Sequence, residues 1–393
     1  MQMDFHYYCI AVLARAAGFN RDDALIIAYA SQYVDNSTES KQLEIIDPNT
    51  GRILAFDPVR SAYDLLKPRQ GLESLEWSSQ KKVWIPFHFI PPHPFDFENP
   101  RFDFVTRPGS AFAELVLSDA ANEPHYLRRL IRIGVAMHTY ADTWAHHGFS
   151  GRRSEEENEV EGLEVAVPES DQWKLLVIEN LLDDVLPEIG HAEAMFLPDV
   201  PYLHWRCEIG PEGIVGGGDN VKRFLRASKR IFDRLRQIRT THSDDPIEPV
   251  PWGNGWEDSL SWRQLRPLIK ERFEERPLPI ETFFQRLRNL GDDLETRCAS
   301  WRRMFGDWFK DHRSGPSNDW DFGYRQEYQY NHKEWRDEAL EGDTAWDSWS
   351  SGRWARTSPF RLGIKRKWFW ESRWVHFHRA ALRQRHLVLE NLP

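Results

Sequence analysis

The chain has 393 residues, 40% of them hydrophobic, with 51 Lys+Arg against 61 Asp+Glu for a net charge of −10, enough length to bury a large core as one domain or two. Its three cysteines, Cys9, Cys207 and Cys298, stand far apart with no CxxC spacing, which argues against both a disulfide framework and a thiolate zinc site. The N-terminus has no basic, apolar leader, and no window reaches the 18 or more uncharged apolar residues of a membrane span, so the expectation is a soluble, cytoplasmic protein.

Apolar residues recur with helical period over 5–18, 21–34, 124–147 and 172–185, with Asn20 or Asp22 as the cap of the second helix. The predicted fold class is therefore mainly all-α. One exception is QLEIIDPNTGRILAFD (42–57), two β-rich runs around a Pro-Asn-Thr-Gly turn, which reads as a small peripheral hairpin. The acidic run SEEENEVEGLE (154–164) reads as a solvated loop. IGPEGIVGGGDN (209–220) lacks the Gly-Lys-Ser/Thr of a phosphate loop and reads as a flexible connector. It divides a helical domain over 1–212 from a helical, Trp/Arg-rich region over 219–393, and the two can pack as one unit. After it, Val221, Phe224, Leu225, Ile231, Leu235 and Ile238 form one apolar stripe with arginines opposite. Helical stretches come next near 258–273 and 281–310, and then a tail dense in tryptophan; 13 of the 18 tryptophans lie after residue 250. Charge is uneven too: residues 1–220 carry 18 Lys+Arg against 35 Asp+Glu, the rest 33 against 26.

MHTYADTWAHHGF (137–149) carries the chemistry. His138, Asp142 and His146 recur every four residues, so on a helix they form a row about 12 Å long. Imidazole and carboxylate are the ligands expected of zinc in the absence of cysteine, and a carboxylate in the middle of the row can bridge two ions. Three further segments each set one polar residue in an apolar context: MDFHYY (His6), YASQYVD (Asp35) and WIPFHFIPPHP (His88). Asp35 ends a helix, where a carboxylate opposes the dipole and needs a compensating cation. GHAEAMFLPDVPYLHW adds His191, with Glu193 or Asp199 as its carboxylate partner, because Met195 stands at the fourth residue on. His93, His147 and His204 read as surface or structural histidines.

In chain order these motifs resemble the zinc-dependent phospholipase C and S1/P1 nuclease superfamily, with YASQYVD, PFHFI and HTYAD as the matching strings. The chain is also similar to an uncharacterised bacterial family sharing HxYADTWAHxGF and GHAxxxxPD. The first resemblance implies a helical phospholipase C/P1 nuclease-like bundle over about residues 1–205, holding one to three Zn²⁺. By that resemblance Asp35, His88, His138 and Asp142 form one zinc site, His6 a second bridged by Asp142, and His146 a third. His191 is a further ligand, with Asp199 the candidate beside it. The superfamily's mature proteins begin with a tryptophan whose amino group and carbonyl ligate zinc, whereas this chain begins Met-Gln-Met-Asp-Phe-His.

The expected function is that of a zinc-dependent hydrolase acting on a phosphodiester, either a phospholipid or a single-stranded nucleic acid. Asp35 is its catalytic residue, orienting water or taking its proton, and Arg152, Arg153 or C-terminal arginines neutralise the phosphate. The tryptophan-dense tail suits peripheral contact with a lipid interface. The alternative is a non-catalytic helical protein with a structural metal and a C-terminal half that binds a partner.

Overall fold

The computed structural model describes residues 1–46, 50–65, 67–98, 100–166, 173–175, 189–210, 213–253, 255–276, 293–309, 329–340, 361–363 and 366–393. Helix predominates among them. The chain opens as a π-helical stretch, Asp4–Cys9, that continues as α1 (Ile10–Ala16). Every residue of both is buried, so the segment runs through the core instead of lying on it. Arg15 is tolerated there because the carbonyls of Phe19, Glu248 and Pro249 accept its guanidinium N–H groups. α2 (Arg21–Asn36) starts at Asn20, whose side chain accepts from the Asp23 amide, as the capping pattern predicts.

Four more helices frame the ligand-bearing part of the chain. These are α3 (Pro68–Ser74), α4 (Ala111–Ala121), α5 (Tyr126–Ala145) and the much later α9 (Arg373–Leu389). α5 is central, with α2, α4 and α9 packed around it. Gly134 of α5 makes the closest approach: a Cβ there would lie 2.4 Å from the Ile27 carbonyl and 2.6 Å from Ala30 Cβ of α2. Between α5 and α9 come α6 (Asn220–Thr241), α7 (Trp262–Glu274) and α8 (Leu294–Trp308). One hydrophobic core takes side chains from α1, α2 and α5 together with α6, α7, α8 and α9.

The expected hairpin is present as β1 (Leu43–Ile46) and β2 (Ile53–Phe56), in register with Leu43 opposite Phe56. It is not peripheral. Leu43, Ile45 and Phe56 are buried, Phe56 meets the rings of Phe369 and Trp374, and β1 also pairs in parallel with residues 361–363. Residues 47–49 of its turn lie outside the described residues.

A second, four-stranded sheet corrects three expectations. Its strands are β3 (Val160–Ala166), β4 (Trp173–Leu175), β5 (His204–Ile209) and β6 (Ile214–Asp219), in the order β4-β3-β5-β6. Trp173–Leu175, expected to be helical, is strand, and the rest of 172–185 lies outside the described residues. The acidic run forms a short helix, Glu155–Asn158, and β3 rather than a loop. The glycine run is strand β6 rather than a connector: a Cβ at Gly216 would meet Ile209 Cδ1 at 2.5 Å, and one at Gly217 would meet the Trp205 carbonyl at 2.4 Å. Glycine is needed there because the neighbouring strand passes so close. Residues 281–292 of the predicted 281–310 helix, and most of the tryptophan-dense tail, lie outside the described residues.

Candidate metal centre

Five elements bring the eight expected ligands together. The π-helical opening supplies His6, the last turn of α2 Asp35, and the end of the 77–87 helical turns His88. α5 and its C-cap supply His138, Asp142 and His146. The 189–199 segment supplies His191 and Asp199. Three groups of ligand atoms gather closely enough to hold a divalent ion: His6, Asp35 and His138; His88, His138 and Asp142; and His146, His191 and Asp199. Of the two carboxylates left open beside His191, Asp199 is the one at the site. Glu193 turns away and accepts from the Val160 amide at 2.6 Å.

Asp142 is the hub. Its Oδ1 lies 3.0 Å from His6 Nε2, and its Oδ2 lies 3.2 Å from both His88 Nδ1 and His138 Nε2 and 3.7 Å from His146 Nδ1. Asp35 Oδ1 stands 3.5 Å from His138 Nε2 and 3.9 Å from His88 Nδ1, which supplies the partners that a carboxylate at a helix C-terminus requires. The Met1 amino group, absent from the expected ligands because this chain lacks the superfamily's N-terminal tryptophan, lies 2.6 Å from Asp142 Oδ1 and 3.0 Å from Asp199 Oδ1. Burial works to lower its pKa, but the two carboxylates hold it up at about 11.

Backbone carbonyls fix the protons of three imidazoles. His88 Nε2 faces the Ser61 carbonyl at 2.9 Å, His146 Nδ1 the His88 carbonyl at 2.8 Å, and His191 Nδ1 the Met195 carbonyl at 2.7 Å. A carbonyl only accepts, so each of these nitrogens carries the hydrogen. The other nitrogen of each ring therefore faces the carboxylates, as ligating histidines are held by their outer partners; burial works to lower the His88 pKa, but the hydrogen bond and charge of Asp142, with Asp35 behind it, raise it. Met195, which receives the His191 hydrogen, is itself held in the left-handed backbone region at φ 49°, a strain of the kind that collects at functional sites.

Two of these nitrogens face carboxylate oxygens. His146 Nε2 and His191 Nε2 each lie 3.5 Å from an Asp199 oxygen. Burial, with His146 and the Met1 amino group adding to it, pushes His191 down to about 4 against the pull of Asp199, and burial with His138 does the same to His6. Both rings are neutral at pH 7. A lone pair facing a carboxylate is repulsive unless a cation lies between them. Two buried ring nitrogens, His6 Nδ1 and His138 Nδ1, have no hydrogen-bond partner among the described residues, and His6 Nε2 and Asp199 Oδ1 have only ionic neighbours, Asp142 beside the first and the Met1 amino group and His146 beside the second. Burial opposes charge on Asp142 and Asp199, yet His146, the Met1 amino group and the surrounding histidines hold both carboxyls well below their ordinary range. Deprotonated carboxylates, the neutral imidazoles of His6 and His191 and buried donor atoms short of partners are what a divalent ion requires.

The cluster forms the floor of an open pocket of about 750 Å³. Leu65, Leu72, Leu75, Trp84 and Phe89 give it apolar walls, and Phe89 stacks on His146 at 4.5 Å. Among the described residues no lysine or arginine lines it, Arg152 and Arg153 included. Arg152 is committed to Glu157 at 2.5 Å. His147 is exposed and His204 packs on Trp173, so neither joins the cluster.

Fold and site together define a mainly helical protein with buried His/Asp groups that could hold metal ions, set beneath an open apolar pocket. The chain belongs to the family described as a family of unknown function (DUF6765), whose profile matches residues 1–392. No curated protein and no solved structure matches the chain.

Proposed function

We propose that the protein is a zinc-dependent hydrolase of phosphodiester bonds, built on a helical bundle of the phospholipase C and P1 nuclease kind. One observation carries this reading: the ligand cluster is the floor of a roughly 750 Å³ pocket instead of a sealed junction between helices. A metal that only staples helices is fully enclosed by protein ligands and needs no such access. Zinc in this setting polarises phosphoryl oxygens and makes water acidic enough to react near neutral pH.

The chain's own groups divide the remaining work. His6, Asp35, His88, His138, His146, His191, Asp142 and Asp199 would hold the ions. Asp35 is the most exposed carboxylate of the cluster, with 29% of its side chain open, and it lines the pocket. Gln32 donates to its Oδ2 at 3.3 Å, which leaves Oδ1 to orient a water and accept its proton. The apolar character of the pocket walls, with no cationic side chain among the described residues to cradle a polyanion, favours a phospholipid-like amphiphile over a nucleic acid as substrate. No helix among the described residues is long and apolar enough to cross a membrane, so such a substrate is reached from the water side of an interface.

Turnover of short-chain phosphatidylcholine and of single-stranded DNA by zinc-reconstituted protein tests the reading. The expected result is release of phosphorylated head group by wild type and a loss of at least 100-fold in Asp35→Asn. Absence of turnover of either substrate by fully loaded wild type overturns it.

A further inference from the structure

A second groove, of about 420 Å³, lies between α6 and α7. Trp144 of α5 forms one wall and Trp262 of α7 the other. Trp144 is two residues from both Asp142 and His146, about 200° around the helix at about 100° per residue, so this groove opens on the far side of α5 from the metal cluster.

Its charge sets it apart. Arg226, Arg230 and Arg266 line it and are exposed, and none of the three makes an ion pair among the described residues. Of the other arginines of α6, Arg236 lies over the Phe232 ring outside the groove and three are hydrogen-bonded elsewhere. Arg223 donates to Asn220 and the Pro198 carbonyl, Arg234 to Glu114, and Arg239 to the carbonyls of Gly18, His242 and Asp245. Lys222 and Lys229 at the rim have their own partners in Asp219 and Asp233. Arg226 and Arg230 are four apart on one helix, a like-charge spacing that destabilises the helix unless an anion lies across it. Trp262 is steadied against Phe232, ring centroids 6.0 Å apart.

Guanidinium forks match phosphate oxygens in pairs, and indole faces stack on bases in a sequence-tolerant way. The volume falls within the range of small-ligand sites. We propose that this groove binds a nucleotide unit, its phosphate on Arg226, Arg230 and Arg266 and its base against Trp262 or Trp144. The ligand is either a free nucleotide or a segment of single-stranded nucleic acid. This site is separate from the phosphodiester-cleaving one and stands whether or not that reading holds.

The test uses the full chain at low salt without added divalent metal. AMP and inorganic triphosphate are titrated by calorimetry, and fluorescein-labelled oligo(dT) of about ten nucleotides by anisotropy. AMP is expected to bind. The Arg226→Ala/Arg230→Ala double variant is expected to lose at least tenfold in affinity for all three probes. Trp262→Ala/Trp144→Ala is expected to weaken AMP and oligo(dT) at least tenfold and leave triphosphate unchanged, with Arg226→Ala/Arg230→Ala, which alters exposed side chains only, keeping the wild-type Tm. Oligo(dT) binding tenfold tighter than AMP assigns nucleic acid as the source, and equal affinities assign the free nucleotide. Failure of both AMP and oligo(dT) to bind overturns the proposal, as does binding that the arginine pair does not weaken. Loss of triphosphate and AMP to the same degree in the tryptophan variant also overturns it, because the groove then recognises no base.

Discussion

Asp142→Asn removes one negative charge and keeps the shape. In the wild type the carboxylate is 1% exposed and faces the Met1 amino group at 2.6 Å and the rings of His6, His88 and His138 at 3.0, 3.2 and 3.2 Å. Removing one partner of a buried charge pair costs about 3–5 kcal/mol, so the metal-free variant is expected to be less stable by that order. The larger effect comes with metal. Each zinc ion present at about 1,000 times its Kd adds about 4 kcal/mol to the folded state, and Asp142 takes part directly in one ligand group and borders His6 of a second. Two measurements read this: zinc per chain by mass spectrometry after dialysis, and the rise in Tm on adding zinc. The variant is expected to lose at least one ion per chain and most of the zinc-induced rise. Equal zinc content with an equal rise in Tm would refute the claim that Asp142 joins the sites.

Four other residues carry their own expected outcomes. Asp35→Asn is expected to lower turnover of the phosphodiester by roughly 10²–10⁴-fold with the fold retained by circular dichroism; unchanged kcat removes Asp35 from the chemistry. Gly134→Ala places a Cβ 2.4 Å from the Ile27 carbonyl, which overpacking makes costly by about 1–3 kcal/mol, and it should weaken zinc binding as well, because α2 and α5 carry facing ligands. Unchanged Tm and zinc affinity would show that the two helices can part freely. Leu72→Glu, at a pocket-lining residue 71% exposed, is expected to raise KM for a short-chain phospholipid and leave Tm unchanged; equal KM values would separate this wall from the substrate. Burial pushes His378 down to about 3 from its ordinary 6.5, while its Nδ1 accepts from the Val59 amide at 3.0 Å. The folded state keeps this ring neutral and the unfolded state does not, so its contribution is intact above about 6.5 and is lost by about 1.4 kcal/mol for each pH unit below, until about 3. His378→Asn keeps the acceptor and should flatten the acid limb of a stability-against-pH curve by one proton's slope; an identical slope refutes the assignment.

The gathering of the candidate ligands was legible because each is a lone polar residue in an apolar stretch, and a helix turns His138 and Asp142 to one side whatever surrounds it. The β1–β2 hairpin was legible from two β-rich runs around a turn. What local pattern does not encode is distance between segments. Only the resemblance, through its N-terminal amino ligand, hints that the Met1 amino group reaches Asp142, and nothing near Ser61 signals that its carbonyl sets the proton on His88. The β3–β6 sheet stayed hidden for a different reason. Its strands are acidic at Glu161 and Glu164 and glycine-rich at 216–218, compositions with low strand propensity, and it is the approach of β5 that requires glycine there. The choice of Asp199 over Glu193 likewise depended on the Val160 amide, a partner some thirty residues away in sequence.

Gln384 of the last helix donates to the Pro86 carbonyl at 2.9 Å and to Thr139 Oγ1 at 2.8 Å. It thus clamps the turn that ends in His88 to the helix that bears His138. The chemistry of this chain is consequently not a detachable cassette: a fragment ending before α9 would keep every ligand yet lose the bolt that sets two of them face to face.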